Sequence, residues 1–246
     1  MKVLFSFLPK EEQQLKLTNQ FPQIDFIFQK GLNEKELETA DIVVTYGEDL
    51  KAFHINSAKE LKWIMVASAG LEKMPLKEIA DRNILLTNVR GIHKTPMAES
   101  VLAHILSIKK SLPVVAENQR NANWSKRVPS SELLGSTALI LGPGAIGGEV
   151  GRLLQAFGVR TIGCNRSGNT ASYMDEMISF GSLKEVLPQA DIVVSILPST
   201  EETRGLLTYK HFQSMKESAI FMNYGRGDLV KELDLLKALE NKCIAY

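Results

Sequence analysis

Short apolar runs alternate with longer stretches of helical periodicity along the whole chain. In the first 94 residues the runs 3–7, 24–28, 42–46, 63–67 and 84–87 predict strands, and 34–40, 52–61 and 75–81 predict short helices between them. Such alternation makes a parallel sheet covered by helices, so residues 1–94 form a first α/β domain. A boundary follows at Thr95 and Pro96. Threonine can cap a helix, proline fits its first turn, and Glu99 sits near the positive end of the dipole. This helix is expected to reach about Leu112, with Met97, Val101, Leu102, Ile105, Leu106 and Ile108 covering enough of its circumference to face more than one neighbour. Residues 113–136 read as polar and irregular around Trp124 and Pro129, which suits either an excursion over a partner subunit or a plain surface loop. From Thr137 the alternation resumes, with strands at 138–141, 159–163, 176–180, 192–197, 219–223 and from Cys243 onward. Segments 40–45 and 190–195, Ala-Asp-Ile-Val-Val followed by Thr or Ser, are nearly the same; they share helix-to-strand punctuation and are not an internal repeat.

The strand at 138–141 runs straight into Gly142, Pro143, Gly144, Ala145, Ile146 and Gly147. A helix follows, carrying Ile146, Val150, Leu153, Leu154 and Phe157 and ended by Gly158. Seventeen glycines in 246 residues produce chance G-x-G-x-x-G matches. The order strand, turn, helix separates this one from them. Gly142 allows the tight turn, Gly144 lets a phosphate approach the backbone without a Cβ, and Gly147 lets helix and strand pack closely. Amides at the helix start then face the anion. The stretch reads as a dinucleotide pyrophosphate site, against the plainer alternative of a tight strand-to-helix turn.

Composition narrows the field. With 44% hydrophobic and 23% charged residues the chain is ordinary globular material, long enough for two modest domains. A formal net charge of +1 offers no basic excess for nucleic acid or an acidic membrane surface, so a small-molecule ligand is expected. Residues 1–9 read as a first strand and not as a signal segment, because Pro9, Lys10, Glu11 and Glu12 end the apolar run too early. Cys164 and Cys243 are expected as buried thiols in strands, neither a disulfide nor a metal pair, and point to the cytoplasm.

Ligands of an open parallel sheet bind beyond the carboxyl ends of its strands. After the strand at 159–163 comes Asn165, Arg166 and Ser167, where an acidic residue would bind the ribose 2′-hydroxyl of NAD. No acid stands there. Asn165 does not repel a phosphate, and Arg166 with Ser167 can bind a 2′-phosphate, which favours NADP over NAD. Alternatively Arg166 is merely solvated, or stacks on adenine. After the strand at 219–223, Arg226 lies between Gly225 and Gly227 and can form a two-pronged pair with a substrate carboxylate, or else occupy a surface turn.

In Asn88 to Glu99 with Met97, Ala98 and Glu99, in the turn 142–147, in Leu197 and Pro198 through Thr203 to Leu207, and in Asn223, Tyr224, Gly225, Arg226 and Gly227, the chain resembles the D-isomer-specific 2-hydroxyacid dehydrogenases. Leu61 to Ile64 and Ser68 to Gly70 extend the resemblance through the first domain. It implies a Rossmann-type doubly wound parallel sheet within 95–246 and a smaller flavodoxin-like α/β substrate domain within 1–94. It also implies a homodimer through about 96–136. Backbone amides at Ala69, Gly70 and Leu71 would hold the carboxylate of a small 2-oxo or 2-hydroxy acid, and Arg226 would bind the carboxylate and the reacting oxygen. Leu197, Pro198, Thr203, Asn223, Tyr224 and Gly225 would line the cofactor, beside Gly142, Gly144, Ala145, Ile146, Gly147, Asn165, Arg166 and Ser167.

The family's acid–base histidine, in a Pro-His turn, and its glutamate follow the strand expected from Cys243, whereas this sequence stops at Tyr246. The expectation is therefore a truncated enzyme whose cofactor binding survives better than its turnover, since a positioned proton donor is worth about two to four orders of magnitude. Among His54, His93, His104 and His211, only His93 lies near the expected cleft; the others suit surface or core roles. The rival is a non-enzymatic NAD(P)-sensing or partner-binding protein on the same scaffold.

Overall fold

The computed structural model describes all 246 residues, in two units, Met1–Ile92 and His93–Tyr246. In the first unit the apolar runs become β1 (Lys2–Phe5), β2 (Asp25–Phe28), β3 (Ile42–Thr45), β4 (Trp63–Val66) and β5 (Leu85–Asn88). Between them lie α1 (Glu11–Gln20), α2 (Glu34–Glu38), α3 (Ala52–Ser57) and α4 (Leu76–Asp81). Every pairing is parallel, in the order β2-β1-β3-β4-β5, which is the flavodoxin-like arrangement. Leu4, Val43 and Ile64 pack on one face beneath Leu37, Leu50, Ile55 and Ile79 from the helices. Their strand neighbours Val3, Phe5 and Val44 turn to the opposite face with Phe7, Phe26 and Phe28. Burial on both faces is why these runs are almost continuously apolar.

The second unit begins with α5 (Lys94–Lys109) and α6 (Leu112–Arg120). Its sheet follows as β6 (Thr137–Leu141), α7 (Ala145–Ala156), β7 (Arg160–Asn165), β8 (Glu176–Ser179), α8 (Leu183–Val186), β9 (Ile192–Ser195), α9 (Tyr209–Gln213), β10 (Ile220–Asn223) and α10 (Glu232–Glu240). All strands are parallel in the order β10-β9-β6-β7-β8, the doubly wound Rossmann arrangement. Ala138, Ile140, Ile192 and Val194 face a layer made by Val150 and Leu154 of α7 and by Ala98, Val101 and Ile105 of α5. Leu139, Leu141 and Val193 face the other way, toward Leu183, Leu187 and Phe212. Glu149 of α7 is held by Arg152 at 2.6 Å and by Lys94, at the start of α5, at 3.1 Å. These bonds, Arg152 first, pull its carboxyl from the usual 4.5 down to about 2.

Three local expectations change. Thr95 is not a cap: α5 starts two residues earlier than expected, at Lys94 with His93 in the cap position, so Thr95 and Pro96 lie within the first turn. Residues 113–136 are not irregular throughout. Ser111 adopts a left-handed conformation, φ 49°, which ends one helix and starts another with Pro113 in its first turn, where proline's missing N–H costs nothing. Cys243 does not begin a strand and is only half-buried. The final residues instead fasten to β10 by single bonds, Phe221 N to Tyr246 O at 2.8 Å and Ala245 N to Ala219 O at 3.0 Å.

The echoed segments have a shared structural cause. Asp41 ahead of β3 accepts the amide of Lys2 at the start of β1, and Asp191 ahead of β9 accepts that of Thr137 at the start of β6, both at 2.8 Å. A lysine pairs each, Lys62 with Asp41 at 2.6 Å and Lys216 with Asp191 at 2.7 Å. In both sheets the carboxylate pins the strand that enters beside the first one. No helix is long and apolar enough to cross a membrane.

Candidate functional site

Leu141, the last residue of β6, lies in register with Cys164 of β7 and Ser195 of β9. The chain therefore leaves β6 at the point where strand order reverses, the place where open α/β sheets bind ligands. Gly142 has φ +87°, a conformation that favours glycine, and a Cβ there would meet Ile196 backbone at 3.2 Å and Leu197 Cδ2 at 3.1 Å. Its amide donates to Cys164 O at 2.9 Å, while Ile196 N donates to Leu141 O at 2.8 Å, so the turn is fastened from both flanking strands. A Cβ on Gly147 would stand 2.4 Å from Gly142 O and 3.2 Å from Ile140 Cγ2, so the tightest approach is of the helix to the turn, with the strand expected to face it slightly farther off. Over Gly144 the space is open, with nothing within 4 Å of an added Cβ. The first intrahelical bond of α7 runs from Gly148 N to Gly144 O at 2.8 Å, so the amides of Ala145, Ile146 and Gly147 precede it. Open space above a glycine and a ring of helix-start amides fit a dinucleotide pyrophosphate.

Asn165, at the end of β7, spends its side chain on the turn it begins. Its Oδ1 accepts from Gly168 N at 2.7 Å and Ser167 N at 3.1 Å, and its Nδ2 donates to Asn169 O at 2.9 Å. Ser167 is thus tied to Asn165, and Arg166 projects between them to an ion pair with Glu202 at 3.4 Å. Cys164 is buried, which pushes its thiol up to about 12 and keeps it protonated.

The loops after β9 and β10 converge. Leu197 is buried, and a Cβ on Gly225 would lie 2.3 Å from Leu197 O, so the two loops touch backbone to backbone. Thr203 is buried and braces its own loop: its hydroxyl donates to Pro198 O at 2.6 Å and accepts from Thr200 N at 2.8 Å. Asp228 joins the loops, taking Ser199 Oγ at 2.5 Å and Arg204 Nε at 3.4 Å, while its carbonyl accepts Gly205 N at 2.8 Å. Asn223 closes the turn that carries Arg226, its Oδ1 accepting from Gly225 N at 3.0 Å and its Nδ2 donating to Arg226 O at 2.9 Å. Tyr224 points to α5, its hydroxyl 2.9 Å from His104 Nδ1 and 3.2 Å from Ser100 Oγ. Arg226 itself is exposed. Asn165, Thr203, Asn223 and Tyr224 therefore act as braces that set backbone shape. No local pattern announces Asp228, Ser199, Arg204 and Glu202, because Asp228 meets Ser199 and Arg204, and Glu202 meets Arg166, across separate loops.

Within the first unit, Ala69, Gly70 and Leu71 follow β4. Asn88 Nδ2 donates to Ala69 O at 2.8 Å and Ser68 Oγ to Gly70 O at 3.2 Å, which orients the peptide planes of this stretch, while Leu71 packs on the core. Two histidines are helix-start residues: His54 Nδ1 accepts Lys51 N at 3.1 Å and His211 Nδ1 accepts Thr208 N at 3.0 Å. Burial, then Lys184, hold the His211 pKa below the usual value. No group of three or more His, Cys, Asp or Glu is placed to hold a metal ion.

Residues 102–246 match the model of the D-isomer specific 2-hydroxyacid dehydrogenase NAD-binding domain. Human glyoxylate reductase/hydroxypyruvate reductase is 33% identical over 190 residues, 75% of this chain and 58% of that protein. Human D-3-phosphoglycerate dehydrogenase is 27% identical over 228 residues, 89% of this chain and 42% of that protein. A D-isomer specific 2-hydroxyacid dehydrogenase family protein of Aeromonas salmonicida superimposes with a TM-score of 0.86 at 31% identity, covering 99% of this chain and 78% of that one. The chain spans two thirds or less of the length of the curated relatives it matches first. Relatives named as reductases and dehydrogenases lend no support to the non-enzymatic alternative or to the expected impairment.

Proposed function

This chain belongs to the D-isomer-specific 2-hydroxyacid dehydrogenase family, and on that premise we propose that it binds NADP(H) in preference to NAD(H) and transfers hydride between it and a small 2-oxo or 2-hydroxy acid. The observation that carries the reading is the convergence at one switch point of the turn 142–147, the Leu197 loop and the Arg226 loop, packed to backbone distance through Gly142 and Gly225. A bound nicotinamide would supply or accept the hydride, while the proton at the reacting oxygen is exchanged with solvent water. The amides of Ala145, Ile146 and Gly147 bind the pyrophosphate, and Arg166 takes the 2′-phosphate in place of the acid that would select NAD. Leu197, Pro198 and Gly225 line the cofactor with backbone and apolar surface, while Thr203, Asn223 and Tyr224 keep those loops in shape. Backbone amides of Ala69, Gly70 and Leu71 hold the substrate carboxylate. Arg226 binds the carboxylate and the reacting oxygen; being permanently charged, it stabilises negative charge there and releases no proton.

The homodimer belongs to the same proposal. Leu112, Val114 and Val115 of α6 and Trp124 beyond it are between 43% and 79% exposed, an apolar surface suited to a second copy. Two free cysteines support a cytoplasmic setting. Fluorescence titration with NADPH and NADH tests the cofactor, and NADPH consumption with glyoxylate and hydroxypyruvate tests the substrate class. Tighter binding of NADH overturns the preference, and no consumption with any 2-oxo acid overturns the reaction.

A further inference from the structure

Arg166 and Glu202 form an ion pair between exposed side chains. On an open surface such a pair contributes little. Here its place in the fold matters. Arg166 follows β7 and Glu202 follows β9, and β6 runs between those strands. Two strand spacings are roughly 10 Å, so the pair spans the carboxyl end of β6, where Gly142 begins the glycine turn. Each end is braced independently: Asn165 gathers the turn beneath Arg166, and Thr203 with Thr200 gathers the loop beneath Glu202. The Thr200 hydroxyl, the Glu202 amide and Arg166 hold the Glu202 carboxyl below its usual range, which keeps it charged at neutral pH.

We propose that Glu202 is a cofactor-specificity residue, occupying in the free protein the guanidinium that a 2′-phosphate takes. The inference rests on the reading of Arg166 as the 2′-phosphate ligand. A phosphorylated dinucleotide must displace a carboxylate from Arg166 and then lie near that carboxylate's charge. A ribose 2′-hydroxyl meets neither demand. Glu202 therefore weakens NADPH binding selectively, and its charge sets how far Arg166 can separate the two cofactors.

Dissociation constants of NADPH and NADH for the wild type, Glu202→Gln, Arg166→Gln and the double variant test this. Glutamine keeps the size of Glu202 and one acceptor oxygen, and removes its charge. Glu202→Gln is expected to tighten NADPH by about three- to tenfold, from the usual strength of an exposed pair plus the lost repulsion, with NADH changed by less than about twofold. The gain should shrink at about 0.5 M salt, and it should largely vanish in the Arg166→Gln background. A Glu202→Gln protein with an unchanged NADPH-to-NADH ratio, or with both affinities altered equally, overturns the proposal. Arg166→Gln reports on the reading beneath it. If that variant weakens NADPH alone while Glu202→Gln does nothing, only the role of Glu202 falls; if it leaves NADPH unchanged, Arg166 is not the ligand and both fall.

Discussion

Substituting Gly144 by alanine separates folding from cofactor binding at the glycine turn. The added methyl enters open space, with no atom beyond its own chain neighbours within 4 Å, and Gly144 has an extended backbone with φ −81°, which does not require glycine. Folding is therefore expected to be unharmed, and reduced freedom of the unfolded chain adds about 0.4–1 kcal/mol where the conformation is compatible. Binding should suffer instead, because the methyl stands where a phosphate must approach the helix-start amides. Losing one charge-assisted hydrogen bond of about 1.5–3 kcal/mol corresponds to a roughly 10- to 150-fold weaker Kd. Gly147→Ala provides the contrast: its Cβ would lie 2.4 Å from Gly142 O and 3.2 Å from Ile140 Cγ2, so the turn itself must shift. Overpacking of about 1–3 kcal/mol, offset by up to about 1 kcal/mol of helix propensity, predicts a net loss of stability as well as of binding. Urea unfolding and NADPH titration on the same samples give both quantities. A Gly144→Ala protein as stable as wild type that binds NADPH equally well would refute the assignment of this turn to the pyrophosphate.

Three further outcomes follow from other parts of the chain. Arg226→Lys keeps the charge but loses the planar fork, so kcat/KM for the 2-oxo acid should fall by about 100-fold with the NADPH Kd unchanged, measured by steady-state kinetics. The Glu149 carboxyl is held at about 2 against an ordinary 4.5 by Arg152 and Lys94. The unfolded chain binds more protons than the folded one across that window, so the contribution is fully present above about pH 4.5 and is lost as pH falls toward 2; urea midpoints of Glu149→Gln should show a shallower acid limb. Val115→Glu on the exposed face of α6 should convert a dimer to a monomer in sedimentation velocity, and an unchanged dimer would place the interface elsewhere.

Much of the fold could be read directly because its determinants are local. Strands buried on both faces must be nearly continuously apolar, so all five strands of the first unit were anticipated, with ends displaced by a residue or two. The strand, turn and helix around Gly142 were equally readable, since φ +87° and the 2.4 Å approach at Gly147 permit little but glycine. Local reasoning failed where tertiary packing chose between two acceptable meanings. Pro113 breaks a helix interior but also opens one, and only the left-handed Ser111 decides that a new helix starts. The apolar end at Cys243 suits a strand by composition, yet only two of its backbone bonds to the β10 region are shorter than 3.1 Å, and no regular ladder forms.

The division is clearest at the proposed binding site. Residue chemistry and motif order alone placed the glycine turn, Arg166 and Arg226 in their loops, because a loop's position after a strand follows from the chain. That Asn165, Thr203 and Asn223 spend their polar groups on neighbouring amides and carbonyls, and that the Tyr224 hydroxyl meets His104 and Ser100 of α5, was decided by the folded loops. The meeting of Arg166 with Glu202, 36 residues apart, depends on a crossover that sets β9 on the far side of β6 from β7. Sequence separation carries no trace of that strand order, since it is settled by how two faces of one sheet are covered and not by any residue along the way.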